Sequence, residues 1–313
     1  MVFYVQNVLH RKERRNMERQ RQMTKQERMR RREQIRRKKK RLLIRKIRRM
    51  FNLILLFVLL GGAVWFAYSN FLKKPDYGME KPMQRSESEV KEKLEEMAKK
   101  YKGFKEIIEH YDDYPEVYRA ALANNPEMLD YVKEYPDSDK ATADAVMTKK
   151  EKSQKYPLFI QWDKRWGYAP YGSSSIGISG CGPTSLSMVI YALTENELAT
   201  PDKVARYSQE QGYYIEGTGT SWDLMTEGAA AFGVTGQELS LSEDGMKQEL
   251  KNGHPLICAM RAGDFTAGGH FIVIRGYEKD GFIVNDPNSR VRSQKRWTYE
   301  ELSGQIKNMW YYQ

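Results

Sequence analysis

Between Arg49 and Lys73 the chain carries no charged residue. The run from Met50 to Leu72, which reads FNLILLFVLLGGAVWFAYSNFL after the leading Met, is long enough to cross a bilayer, since a helix needs about 20 residues for that. Trp65, Phe66 and Tyr68 lie toward its far end, where aromatic rings favour the membrane interface. No face of the run is polar, so an amphipathic helix half-buried in a core is disfavoured. A cleaved signal peptide is disfavoured too: the basic region ahead of the run is too long, and no clean small-x-small site follows it. The expectation is an uncleaved signal anchor. The excess of Lys and Arg on its N-terminal side would keep residues 1–49 in the cytoplasm and place the rest outside, as in a single-pass protein of a bacterial cell surface.

Charge supports this division. The net charge is +11, but residues 11–49 hold 21 of the 52 Lys/Arg and only 4 of the 41 Asp/Glu. The 264 residues that follow have 31 basic and 37 acidic side chains and are mildly acidic. The basic tail reads first as a topology signal and second as a contact for anionic lipid headgroups. Nucleic acid is not expected as a partner, because the tail lacks interleaved aromatics and any nucleic-acid-binding fold signature. A helix over the tail would have to overcome like-charge repulsion.

Residues 73–155 read as a helical stalk or spacer. Ser86–Lys102 is highly charged and helix-prone. Tyr114-Pro115-Glu116 opens a second unit with Val117, Leu122 and the Ala residues on its apolar side. Asn125-Pro126-Glu127 opens a third, with an N-cap, a first-position Pro and an acidic first turn. Whether these units pack on the following domain or stand off it is left open. From Tyr156 to Gln313 charge runs disappear and Gly, aromatic and β-branched residues become frequent. Helices are expected over 183–193, 201–211, 222–232 and 242–252, the first with Leu186, Val189, Ile190 and Leu193 on one stripe. Strands are expected over 255–260, 270–277 and 281–284. Helices first and antiparallel strands after make this an α+β domain.

Within that domain Cys181 stands in Gly180-Cys181-Gly182-Pro183-Thr184, at the start of the 183–193 helix. Unpaired N–H groups and the helix dipole favour negative charge there, hence a thiolate. The flanking glycines would leave room for a substrate backbone. The bland alternative is a small buried cysteine at a tight turn. A thiolate nucleophile needs a base. Of the four histidines, His10 precedes the apolar run, His110 lies in the 73–155 segment and His254 sits in a Gly-His-Pro turn. His270 opens the apolar strand Phe271–Ile274 and remains the candidate. Asn285 and Asp286 end the next strand, and either could orient the imidazole. A tight turn at Lys279-Asp280 would put Asp286 on the wrong face, so Asp286 requires a longer loop or a bulge. The segment 261–266, just before His270, is expected to be a mobile loop, and Trp222 a wall of the cleft. Cys258 reads as a buried hydrophobe.

Together, Gln161-Trp162-Asp163, Gly180–Thr184, Gly269-His270-Phe271 and Asn285-Asp286-Pro287 resemble the bacteriocin-processing, double-glycine leader peptidases, and more closely their exported papain-like relatives. The resemblance covers residues 156–313. It implies a papain-like fold, a Cys181–His270–Asp286 triad and a glutamine lining the oxyanion hole. Gln161 is the candidate for that glutamine, although it lies further ahead of Cys181 than the family pattern has it. The alternative for Gln161 is a structural contact in the Gln-Trp-Asp turn. The leader peptidases work in the cytoplasm fused to a transporter, so their substrate is not carried over. The implied activity is hydrolysis of a peptide or amide bond, with an extracytoplasmic peptide or a cell-wall peptide as substrate. No organic cofactor or metal is implied. The rival reading is a surface module of the same fold that binds peptide or cell-wall ligands without catalysis.

Overall fold

The computed structural model describes residues 2–67, 75–138 and 145–313. They form two compact units, Met1–Pro75 and Asp76–Gln313. The first contains one continuous helix, α1 (Val2–Ala67), which takes in both the basic tail and the start of the uncharged run. Like-charge repulsion along the tail therefore does not interrupt the helix. The apolar part of α1 is the one span among the described residues long and apolar enough to cross a membrane, with a hydropathy of 1.9. A signal sequence near an N-terminus has the same composition. Residues 68–72, which complete the uncharged run, lie outside the described residues.

In the second unit, four helices come first: α2 (Glu87–Lys100), α3 (Phe104–Glu109), α4 (Glu116–Asn124) and α5 (Leu129–Lys133). A capping box of Ser86 and Glu89 starts α2. Asn125 caps the short 3-10 turn Pro126–Met128 by accepting from the Glu127 N–H. These helices share a core. Leu94, Phe104, Leu122 and Val132 pack with Ile160, Trp162 and Tyr168, which belong to the following segment. Tyr131 donates to the Gly167 carbonyl at 2.8 Å. The helical segment thus packs onto the domain and is no free-standing spacer. Val117 corrects the expected apolar side of α4: it is exposed, and Tyr118, Leu122 and Ala123 are the buried residues.

The main sheet has six strands, all antiparallel, in the order β1 (Gly236–Glu238), β6 (Ile306–Tyr312), β2 (Leu256–Met260), β3 (His270–Glu278), β4 (Gly281–Asn285) and β5 (Arg296–Trp297). One face, with Ile257, Phe271, Val273 and Trp310, packs on Leu186 and Val189 of α6 (Cys181–Thr194). The other, with Leu256, Cys258, Ile272 and Val284, packs on Met246 of α8 (Glu243–Lys251) and on Trp297. Between these helices in the chain lies α7 (Pro201–Glu210), which packs against α6. Gly182 through Tyr191 are all buried, so α6 is a central helix and not a half-exposed one. The expected helix over 222–232 is broken: a 3-10 turn (Trp222–Met225) and a short helix (Glu227–Ala230) meet at Thr226, whose φ and ψ of −115° and −81° interrupt the ladder.

Strands β3 and β4 meet in a tight turn, with Glu278 opposite Gly281. Gly281 has φ +130°, and a Cβ placed there would lie 2.5 Å from the Trp297 carbonyl oxygen. Gly281→Val is expected to destabilise the fold by at least about 2 kcal/mol, from backbone strain and from displacing β5. Chemical denaturation checks this; a loss within experimental error of zero would refute it.

Candidate active site

Register brings the expected residues together by the less obvious of two routes. The β3–β4 turn is the tight one, which by simple alternation would set Asp286 opposite Val273 and turn it away from His270. The pairing instead slips between Ile274 and Gly276, so that Val273 pairs with Asn285. The bulge at Arg275 shifts the register by one residue. Continued past Asn285, that register sets Asp286 beside Ile272, on the face of His270 and diagonal to it, within side-chain reach. His270 Nε2 lies 2.8 Å from Asp286 Oδ1. Asn285, the fallback, points elsewhere: its Nδ2 donates to the Pro157 carbonyl and its Oδ1 accepts from Arg275 Nε.

Cys181 faces the same cleft as His270 and is near enough to help raise its pKa. Cys181 is the first residue of α6, where the first-turn N–H groups have no carbonyl partner within the helix. Both residues line an open cleft of about 450 Å³, walled by Tyr214, Trp222, Met260 and Lys307 among others. Trp222 is the wall residue expected. The glycines beside Cys181 serve packing and not substrate approach. A Cβ at Gly180 would meet the Ile176 carbonyl oxygen at 2.6 Å, and one at Gly182 the Thr220 side chain at 2.8 Å.

Both members of the His–Asp pair are buried. Burial opposes the imidazolium, yet the charge and hydrogen bond of Asp286, with help from Cys181, outweigh it and hold His270 raised to about 9. Burial likewise opposes the Asp286 carboxylate, but Arg292 first and His270 second bring it down to about 2. Arg292 is the site residue that sequence reasoning missed. It lies on α9 (Arg290–Gln294), is itself buried, and donates from Nε to Asp286 Oδ2 at 2.5 Å. The Asn288 N–H adds a third bond, at 2.7 Å to Oδ1. The sign of pH dependence follows for each group. His270, raised, contributes stability that is complete below its ordinary value of 6.5 and lost as pH rises through about 9. Asp286, lowered, contributes stability present above 3.8 and lost as pH falls through about 2.

Gln161 is placed differently from the oxyanion role implied by resemblance. It is buried, and its Nε2 donates to the carbonyls of Gly177 and Ile178 at 2.9 and 3.3 Å. Both N–H bonds of the amide are thus committed to the segment ahead of Cys181, and Gln161 does not border the cleft. The segment 261–266 is pinned and not loose: Phe265 is buried against Trp297 with ring centroids 4.4 Å apart, and Gln305 donates to Asp264 at 2.7 Å. His254 pairs with Glu249 at 2.7 Å, outside the cleft. Cys258 is buried, its thiol held protonated by burial. Among the described residues no cluster of His, Cys, Asp and Glu could hold a metal ion.

A comparison with protein-family models matches residues 153–313 to the peptidase C39-like family. The chain belongs to that family. A cysteine peptidase fold is therefore what the second half of the chain carries, and the match begins after the helices α2–α5. A solved structure, described as a candidate C39-like peptidase from Bacillus anthracis, is 15% identical, with a TM-score of 0.30 over 50% of this chain and 94% of its own. Comparison with curated proteins returns no match.

Proposed function

We propose that the C39-like domain is a thiol peptidase or amidase anchored by α1 and acting outside the cell membrane, with Cys181 as nucleophile, His270 as base and acid, and Asp286 as the group that orients the imidazole. The observation that carries this reading is that Cys181 and His270 line one open cleft, with Asp286 bonded to the imidazole from behind. His270 takes up the thiol proton as the attack begins. Cys181 Sγ attacks the substrate carbonyl carbon, and the carbonyl electrons move to oxygen. The Cys181 N–H at the start of α6 is a donor available to that oxyanion. Collapse breaks the C–N bond, and the leaving nitrogen takes the proton from His270 Nδ1. Water, deprotonated by the now neutral imidazole, then attacks the thioester and releases the acid. The substrate class is an extracytoplasmic peptide or a cell-wall peptide. The basic tail stays on the cytoplasmic side, near anionic headgroups.

The test uses the full chain in detergent. Mass spectrometry of a peptide library, wild type against Cys181→Ala, should show cleavage by the wild type alone. Alkylation of Cys181 by iodoacetamide should be slower in His270→Ala, where the thiol has lost its base. Peptide hydrolysis should fall as pH rises through about 9, where His270 loses its proton. A sluggish thiol, with no cleavage of any library member, would leave a binding module in its place.

A further inference from the structure

The residues that hold Asp286 are themselves held from outside the family's segment. Ser289 opens α9: its hydroxyl accepts from the Arg292 N–H at 3.1 Å and donates to Glu127 Oε1. The same Glu127 carboxylate accepts the Arg290 N–H at 3.0 Å and the Val291 N–H at 3.4 Å. One carboxylate thus takes up two first-turn amides and the capping hydroxyl of the short helix that carries Arg292. Next to it Asn125 donates to the Asn288 carbonyl, which also accepts from Trp162 Nε1 at 2.9 Å. Glu127 and Asn125 precede the family match at residue 153 and sit in the turn between α4 and α5, fixed by the core those helices share with Trp162.

We propose that Glu127 is a positioning residue: through α9 it fixes Arg292, which fixes the Asp286 carboxylate against His270, so that the helical segment before the peptidase domain completes the active site. This rests on the triad reading above. With Glu127 removed, α9 loses three bonds at its start, and the Arg292 guanidinium is no longer held square to Oδ2. Asp286 then supports the imidazolium less well. The groups that face His270 are Asp286 behind it, Cys181 from α6, and Glu216, Tyr214 and Lys307 across the cleft. Only Asp286 is reached by the Glu127–α9 path, so a change in His270 titration on altering Glu127 reports that path.

The experiment measures the rate of hydrolysis of a library peptide against pH in the full-length chain, its basic limb being the fall through about 9 where His270 loses its proton. In Glu127→Ala the basic limb of the profile should move down by at least roughly half a pH unit. The neutral-pH rate should fall by about twofold to thirtyfold, the range for mutations that act through coupled networks. Glu127→Gln, which keeps an oxygen to accept from Ser289, should fall between Glu127→Ala and wild type. Glu116→Ala, exposed on α4, should match wild type. A purely structural role would lower thermal stability and leave the limb where it is; an unmoved limb in both Glu127 variants overturns the proposal. If Glu127→Ala does not fold, Glu127→Gln alone decides by the same limb. His270→Ala separates the two readings. Should it leave the wild-type profile unchanged, the triad is wrong and this proposal falls with it. Should it abolish the limb while the Glu127 variants keep it, only the positioning role fails.

Discussion

Replacing His270 with alanine should slow peptide hydrolysis by about a hundredfold to ten-thousandfold, the usual contribution of a positioned acid–base group. The loss should fall mainly on kcat, because the imidazole acts on protons in flight and contributes little to ground-state binding. Within the Asp76–Gln313 unit no other histidine can stand in: His254 is tied to Glu249, and His110 is paired with Asp113 at 3.2 Å on the surface. Without His270 the thiol must lose its proton to water, and the leaving amine must find its proton there as well. The variant's pH profile should then follow the free thiol, rising with pH where the wild type falls. Single-turnover kinetics on a peptide taken from the library screen decides the matter. A variant within about threefold of wild type would mean that His270 does no proton transfer, since even weak general catalysis exceeds that.

The parts of this site that sequence made legible are the parts encoded locally. The stripe Leu186, Val189, Ile190 marked α6, and the Gly-Cys-Gly-Pro start marked its first turn. His270 was reached by elimination among four residues and by its place at the head of an apolar strand. Asp286 stayed open against Asn285 because the choice depends on the bulge at Arg275, and a bulge has no strong signature when the turn beside it is a tight one. Gly182 is illegible for a related reason: what fills the space beside it is Thr220, brought in from far along the chain, whereas Gly180 is closed off locally by Ile176. Strand β6, although it lies between β1 and β2 in the sheet, was not foreseen. Its run Ile306–Tyr312 alternates poorly, as both of its faces are covered. Arg292 and Glu127 were invisible, since their roles exist only through partners that tertiary packing supplies.

Arg292 carries the second large effect, on stability. It and Asp286 are buried, and the pair is tolerated because each neutralises the other and the remaining oxygen of Asp286 is satisfied by His270 and by the Asn288 N–H. Arg292→Met keeps much of the side-chain volume and removes the charge. Asp286 is then left with a buried negative charge supported only by His270 and the Asn288 N–H, and breaking a buried pair on one side costs about 3–5 kcal/mol. The pH dependence gives the prediction its sign. In the wild type, Asp286 is lowered to about 2 chiefly by Arg292, so its contribution is intact at neutral pH. In Arg292→Met its pKa rises, and the carboxyl takes up a proton at a higher pH. The stability gap between the two proteins should therefore be widest near neutral pH and narrow as the solution is acidified from the variant's raised value toward about 2, where the wild-type carboxyl is protonated as well. Adding Asp286→Asn to Arg292→Met should recover part of the loss, because the stranded charge is gone. Urea denaturation of the single and double variants at neutral and acid pH measures each quantity. A single-variant loss under about 1 kcal/mol, or a gap that does not change with pH, would show that Asp286 is not held by Arg292 in the way the 2.5 Å contact implies.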